Sequence, residues 1–568
     1  MAQQDKRGHG IAGGLTHYGD ADFAAYLRRS FARSMGYSDE ALGRPIVGIA
    51  NTASGFNNCH RHFPELLDAV KRGVLMAGGL PLEFPTISLG EVFLSPTSLK
   101  FRNLMAMDTE EMIRAQPIDS VVLVGGCDKT VPAQLMAAVS ANAPTVQLVA
   151  GPMSTGRHRG ERLGACTDCR RFWARYRSGE IDAQEIETVE GRLATTAGTC
   201  AVMGTASTMA CLAETLGFAL PRSAATPAVH ADRLRCAEAS GRRAVELIGT
   251  QTLLPRQLVT ERSIENAMRV LLAISGSTNA LVHLAAIARR AGLPLDLHRL
   301  NALSDETPVL VNLKPVGANY MEDFFAAGGM PAVLRELRDL LHLDCPTISG
   351  KTIGELIEAP LAEQVDRSVI RSRADPVDRD GGLVAVFGSL APRGAIVKRA
   401  AADKRLLEHE GRAIVFSSLD DLAARIDAPN LEVGADDILV LQNAGPRSEA
   451  AMPEAGYLPI PRKLAEKGVK DMVRISDARM SGTAYGAIVL HVAPEAAIGG
   501  PLAWVRTGDR IRLSVARRTL DLLVAPEELN RRASEARAKT ETPAKRGYDR
   551  LYHDHVLQAD EGVDFDFC

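Results

Sequence analysis

The sequence predicts an α/β protein in two parts: an N-terminal, mainly parallel sheet covered by helices, and a C-terminal β-barrel-like α/β domain. Three observations carry this reading. Short buried strands in the first half each lead into a Gly- or Cys-bearing loop and then a helix, as parallel sheets require. After about residue 380 the texture changes to short β-rich runs separated by Gly and Pro turns. The chain of 568 residues also exceeds the roughly 100 to 200 residues of one typical domain. The expected division is 1–380 and 381–568.

Taken in order, Pro45-Ile-Val-Gly-Ile-Ala50 reads as a strand before Cys59 and an amphipathic stretch from His62 to Ala77. Phe84 to Ser88 reads as a strand before Gly90-Glu91, Val121 to Val124 as one before Cys127, and Thr145 to Ala150 as one before Gly151-Pro-Met. From about 195 to 345 the pattern turns helical, with Ile264 to Ile274 and Ala280 to Ala291 showing the clearest 3.6-residue period. Arg371 to Gly382, rich in charge and glycine, is the expected linker. Beyond it, strands are expected over Leu383–Phe387, Ala413–Phe416, Ile438–Leu441, Ala487–His491, Arg510–Leu513 and Leu520–Val524.

Composition narrows the function classes. With 66 basic and 69 acidic residues the net charge is only −3, and no basic block supports nucleic-acid binding. The start of the chain, Met1 to Gly10, is polar and has no secretory apolar stretch. The apolar region from Ala267 to Ala288 is broken by Ser275-Gly-Ser-Thr-Asn279, so no membrane span is expected. A cytoplasmic protein follows. Nine cysteines in so long a chain are too sparse for a disulfide framework, so those outside the core are candidate ligands or reactive groups.

The most informative segment is Cys127-Asp128-Lys129, just past an apolar strand. Ligands of open α/β sheets bind beyond the carboxyl ends of strands. A thiolate suits iron or zinc, and the neighbouring carboxylate suits magnesium. Cys59 and Cys200 stand in comparable Gly-bearing or strand-following loops. Three thiolates around an iron-sulfur cluster would leave one iron with an open position and make it a Lewis acid. The competing reading of each cysteine is a small buried hydrophobe. Cys166-Thr-Asp-Cys169 is the chain's Cys-x-x-Cys and suggests half a zinc site or a redox pair. No second pair at zinc-finger spacing follows it, and it is read as non-catalytic. Glu91, Asp128 and Glu454 are the hard-ligand candidates. Ser481 lies in a Gly-rich loop, where a serine is often a turn former.

Together these segments resemble the dihydroxy-acid and sugar-acid dehydratases, a family that includes the 6-phosphogluconate dehydratases. The resemblance rests on Cys59 with His62, Gly-Cys127-Asp-Lys-Thr, Gly151-Pro-Met, Cys200 with Gly204-Thr-Ala-Ser-Thr-Met, Ser275-Gly-Ser-Thr-Asn and Asp477-Ala-Arg-Met-Ser481-Gly-Thr, in that order over nearly the whole chain. Pro96 to Leu104 and the tail Gly547-Tyr, His555-Val and Asp564-Phe-Asp-Phe567 resemble the aldonate branch, the arabinonate and xylonate dehydratases. The resemblance implies a [2Fe-2S] cluster on Cys59, Cys127 and Cys200, with [4Fe-4S] as the alternative. It also implies Mg2+ on Glu91, Asp128 and Glu454, with Lys129 carbamylated into an anionic ligand. Ser481 would be the base, Thr483 and His555 would contact a sugar-acid substrate, and the assembly would be a homodimer or homotetramer. His60 and Phe56-Asn-Asn58 depart from the pentonate pattern and point to a non-standard substrate. The alternatives are a branched-chain 2,3-dihydroxy-acid dehydratase and a redox or metal-sensing protein built on Cys166 and Cys169.

Overall fold

A computed structural model describes residues 9–15, 19–361, 363–537 and 546–568. The polar residues 1–8, on which part of the expectation of a leaderless chain rests, lie outside them. The N-terminal sheet has four parallel strands: β1 Ile46–Asn51, β2 Leu80–Pro85, β3 Ser120–Gly125 and β4 Thr145–Val149. Their order is β2-β1-β3-β4, with Val47 opposite Ser120 and Val121 opposite Thr145. The chain crosses from β1 outward to β2 through helix α1 (Phe63–Met76). It returns to the middle after α2 (Ser98–Ala115), and crosses from β3 outward to β4 through α3 (Thr130–Ala141). Right-handed crossovers running in opposite directions put α1 and α3 on opposite faces. The strand order reverses between β1 and β3, and the crevice at their carboxyl ends is where open α/β sheets bind ligands. Cys59 follows β1 and Cys127 follows β3.

Strand β2 begins four residues earlier than the Phe84 expected from sequence. Leu80 to Phe84 pair with Ile46 to Ala50, and β2 is an edge strand, so Pro81 and Pro85 need donate to no further neighbour. A hairpin of β5 (Gly156–His158) and β6 (Glu161–Leu163) precedes α4 (Thr167–Arg177). Then follow the helices that fill the middle of the chain: α5 Thr205–Thr215, α6 Ala231–Glu246, α7 Glu261–Ala273 and α8 Asn279–Arg290. Helices α7 and α8 match the two periodic segments to within three residues. Arg371 to Gly382 is no free linker: Val309 bridges to Asp378 and Val311 to Ile370.

The C-terminal sheet has eight strands: β7 Val384–Val386, β8 Gly394–Val397, β9 Glu408–Phe416, β10 Ile438–Leu441, β11 Arg474–Ser476, β12 Ile488–Ala493, β13 Arg510–Ser514 and β14 Thr519–Leu522. The order is β14-β13-β9-β10-β11-β12-β8-β7. A bridge between Phe387 and Thr519 brings the two ends together, so the sheet is a nearly closed barrel. Period-2 alternation places Ile438 and Val440 in one apolar cluster and Leu439 and Leu441 in another. The four central strands, β9 to β12, are parallel. The loop leaving β11 carries Arg479, Ser481 and Thr483. Among the described residues no helix is long and apolar enough to cross a membrane.

Candidate active site

Cys59 sits on a 3-10 turn, Asn58–His60, directly after β1. Its neighbour His60 is buried and stacks on Phe63 with ring centroids 4.1 Å apart. His60 Nδ1 lies 2.8 Å from the Thr52 carbonyl, and Nε2 accepts the Cys127 N–H at 3.0 Å. That pair of contacts fits a neutral ring protonated on Nδ1, and burial holds its pKa down at about 3. The departure at position 60 therefore braces the Cys127 loop from behind. Phe56, by contrast, is 74% exposed.

The soft donors gather at two ends, with Cys169 a further neighbour of Cys166 at the second. Cys59 and Cys127 are hydrogen-bond neighbours, and Cys200 Sγ lies 3.2 Å from Cys166 Sγ. Sequence reasoning set Cys166 and Cys169 apart from this site, but the fold seats Cys166 at the N-cap of α4 against Cys200. Thirty-four residues separate the two, a spacing with no motif value. Among the described residues no three thiols come within 4.8 Å of one another, the span that one ion would need. Thiols gathered in this way suit a cluster with two ends, so the donor set fits an iron-sulfur group better than a lone zinc.

The hard donors form a separate group. Carboxylate oxygens of Glu91, Asp128 and Glu454 all lie within 4.8 Å of one another, which fits a small oxygen-seeking cation. Glu91 lies in the turn after β2, Asp128 after β3, and Glu454 opens a 3-10 turn of the C-terminal half. Two buried cations compensate them. Lys129 is fully buried, and its Nζ stands 3.3 Å from Glu91 Oε2 and 3.8 Å from Asp128 Oδ2 without hydrogen-bond geometry to any described acceptor. Arg479, also buried, donates to Glu454 at 2.6 Å, Glu91 at 2.9 Å and Thr97 at 2.7 Å.

Burial opposes the charge on Glu91, yet Lys129, Arg479 and the Ser98 hydroxyl hold its pKa down at about 2. At Asp128 burial wins, reinforced by Glu91 and Glu454 against Lys129, and lifts the pKa to about 7. Arg479 was quoted in the sequence motif but assigned no role. An arginine is usually solvated, and only the fold shows this one enclosed.

Ser481 Oγ is 2.8 Å from Thr483 Oγ1, and both residues are buried. Arg170 of α4 donates to Thr483 Oγ1 at 3.1 Å, and Thr167 Oγ1 donates to the Thr483 carbonyl at 3.0 Å. Gly482 lets the loop close on the N-terminal half: a Cβ there would come 2.5 Å from Ser277 Cβ. Ser277 in turn meets Thr205 at 2.9 Å, so three of the quoted motifs converge on one wall. His555 is not among them. Its Nδ1 lies 2.9 Å from Asp566 and its ring packs edge-on against Phe567.

An α/β sheet with thiols at its switch point, beside a carboxylate triplet and a serine loop from a barrel, defines a class. The chain belongs to the dihydroxy-acid/6-phosphogluconate dehydratase family, whose N-terminal model matches residues 44–356 and whose C-terminal model matches 368–563; it is a hydro-lyase. Among its relatives are an L-arabonate dehydratase of Azospirillum brasilense, 47% identical over 97% of this chain and 95% of that protein, and a 6-deoxy-6-sulfo-D-gluconate dehydratase of Pseudomonas putida, 45% identical over 96% and 94%. A dihydroxy-acid dehydratase of Carboxydothermus hydrogenoformans is 38% identical over 94% and 97%.

Proposed function

We propose that this enzyme dehydrates a sugar acid, an aldonate such as arabinonate, xylonate or a related acid, to the 2-keto-3-deoxy acid. The observation that carries the reading is the contact of soft and hard donors at Cys127-Asp128, because the two hydroxyls and the carboxylate of a 2,3-dihydroxy acid also lie on adjacent carbons. Cys59, Cys127 and Cys200 would hold a [2Fe-2S] cluster, with [4Fe-4S] the alternative. Glu91, Asp128 and Glu454 would hold Mg2+, joined by Lys129 as its carbamate. An uncharged or anionic Lys129 relieves the repulsion between its ammonium and the cation. When bound, the two groups would supply Lewis acidity toward the substrate carboxylate, the C2 hydroxyl and the departing C3 hydroxyl.

The protein's own side chains do the rest. Ser481 Oγ, as an alkoxide stabilised by the nearby cations, would take the C2 proton as general base and become the neutral hydroxyl. Thr483, fixed by Arg170, orients that oxygen, and the buried wall of Ser277, Thr205 and Gly482 keeps water from the carbanion. The sugar-acid relatives, more similar to this chain than the dihydroxy-acid dehydratase, support the aldonate over the branched-chain substrate. Assembly into a dimer or tetramer fits the exposed Phe23, Tyr26, Phe31 and Met35 near the start of the chain.

The test is anaerobic purification and a 2-keto-acid assay against a panel of aldonates and 2,3-dihydroxyisovalerate. Aldonate turnover is expected. Turnover of 2,3-dihydroxyisovalerate alone would put the branched-chain reading in its place. Ser481→Ala is expected to lose roughly 10²- to 10⁴-fold in turnover while keeping its visible absorption; full turnover would remove Ser481 as the base. A chelator should abolish turnover without bleaching that absorption, and Mg2+ should restore it.

A further inference from the structure

The role of Cys166 is left open by the three-thiolate assignment, although it lies closer to Cys200 than any ordinary packing contact requires. We propose that Cys166 is a fourth, displaceable thiolate ligand of the iron-sulfur site. It would cap the iron that Cys200 holds while no substrate is present. The inference rests on the proposed function above, since it presupposes a cluster on Cys59, Cys127 and Cys200.

Four observations carry it. First, the thiols gather at two ends: Cys59 beside Cys127, and Cys166 beside Cys200 at 3.2 Å, with Cys169 next to Cys166. Such a set closes both ends of a two-iron cluster, whereas three thiolates close only one. Second, Cys166 is the N-cap of the eleven-residue helix α4, where free backbone N–H groups and the helix dipole favour a thiolate. Third, the start of that helix is rigidly held. Asp168, fully buried, accepts from the Gly164 N–H at 2.8 Å, Lys314 Nζ at 3.0 Å and Tyr320 Oη at 2.9 Å. A thiol on so firm a base points at Cys200 by design of the fold and not by loop accident. Fourth, Cys166 and Cys200 are both half-buried, while Cys59 and Cys127 are buried, so the end that carries Cys166 is the more open of the two.

The same helix reports on the substrate site. Thr167 and Arg170, one and four residues on from Cys166, both hold Thr483, the partner of Ser481. Substrate seated against that loop therefore bears on the segment that carries Cys166. The exchange would need no redox partner: Cys166 would leave as a thiolate with its own electron pair and take one proton from solvent, and the electron pair of a substrate hydroxyl oxygen would take its place. Between turnovers the cap would keep dioxygen from an otherwise open iron.

The test compares anaerobically purified wild type with Cys166→Ala, Cys166→Ser and, as a control away from the site, Cys236→Ala. It measures iron and sulfide content, visible absorption and the electron paramagnetic resonance of the reduced cluster. Both Cys166 variants are expected to keep iron but shift the absorption and the resonance, while Cys236→Ala matches wild type. Adding the aldonate that the assay identifies should move wild type toward the Cys166→Ala spectrum. In air, Cys166→Ala should bleach faster than wild type. Cys166→Ser, nearly isosteric, keeps the test valid where the alanine variant folds poorly. Wild-type spectra in both Cys166 variants would overturn the proposal alone. A shift in the variants with a wild type that ignores substrate would overturn the displacement. A wild type without iron-sulfur absorption after anaerobic reconstitution would overturn the proposed function and this inference with it.

Discussion

Lys398, just past the end of β8, is 1% exposed, and its Nζ donates to the Gly482 carbonyl at 3.2 Å. Burial lowers its pKa from 10.5 to about 7. Between those values the unfolded chain holds a proton that the folded protein does not, so stability rises with pH across that window, by at most about 1.4 kcal/mol per unit. Lys398→Met removes the buried cation. Relative to wild type it is expected to be most stabilised near pH 7, with the difference vanishing as pH approaches 10.5. Thermal midpoints of both proteins at pH 7 and 9.5 check this, and parallel pH slopes would contradict it. Lys398 and Arg479 escaped sequence reasoning for a common reason. Lys and Arg are solvated in most settings, and nothing local marks one that the fold encloses. Cys127, Asp128 and Ser481 were legible because their residue types and loop settings already carry chemistry.

Helices α1 and α6 cross with their backbones in contact. A Cβ on Gly73 would lie 1.9 Å from the Glu238 carbonyl oxygen, and one on Gly241 would lie 2.2 Å from that of Val70. Neither obstacle is a flexible side chain, so a methyl group must push the helices apart. Gly241→Ala should therefore destabilise the protein by roughly 1–3 kcal/mol, although alanine is the better helix former by about 1 kcal/mol. A thermal midpoint at or above that of wild type would show that the crossing can relax. Elements of this half were largely readable: β3 is buried on both faces and appears as a continuous apolar run, and α1 shows a clear helical period. The short strands β8 and β11, of four and three residues, were not singled out from sequence. Which helices touch was likewise hidden, since Gly73 and Gly241 lie far apart in sequence.

The site is assembled from both halves of the chain, with thiols, Glu91 and Asp128 from the first and Glu454, Arg479 and Ser481 from the second. Motif order made this plausible from sequence, but separations such as that of Cys166 from Cys200 had no meaning until the fold closed them. The C-terminal tail ties the halves together. Asp564 pairs with Arg290 of α8 at 2.8 and 3.0 Å, both side chains fully buried. Arg102 of α2 donates to the carbonyls of Gly562 at 2.7 Å and Val563 at 2.9 Å. Arg102 and Asp564 belong to the two segments that resemble the aldonate branch, so their shared signature reads as one clamp. Removing a single partner of a buried pair leaves an uncompensated charge and costs about 3–5 kcal/mol. Asp564→Ala leaves Arg290 with Glu110 at 3.4 Å and the Ser140 hydroxyl at 3.1 Å. It is expected to lower the thermal midpoint and expose the tail to limited proteolysis. The double variant Arg290→Met, Asp564→Leu removes both charges and should recover part of the loss. An Asp564→Ala protein that unfolds at the wild-type temperature with a protected tail would show that the Arg102 contacts hold the clamp without the ion pair.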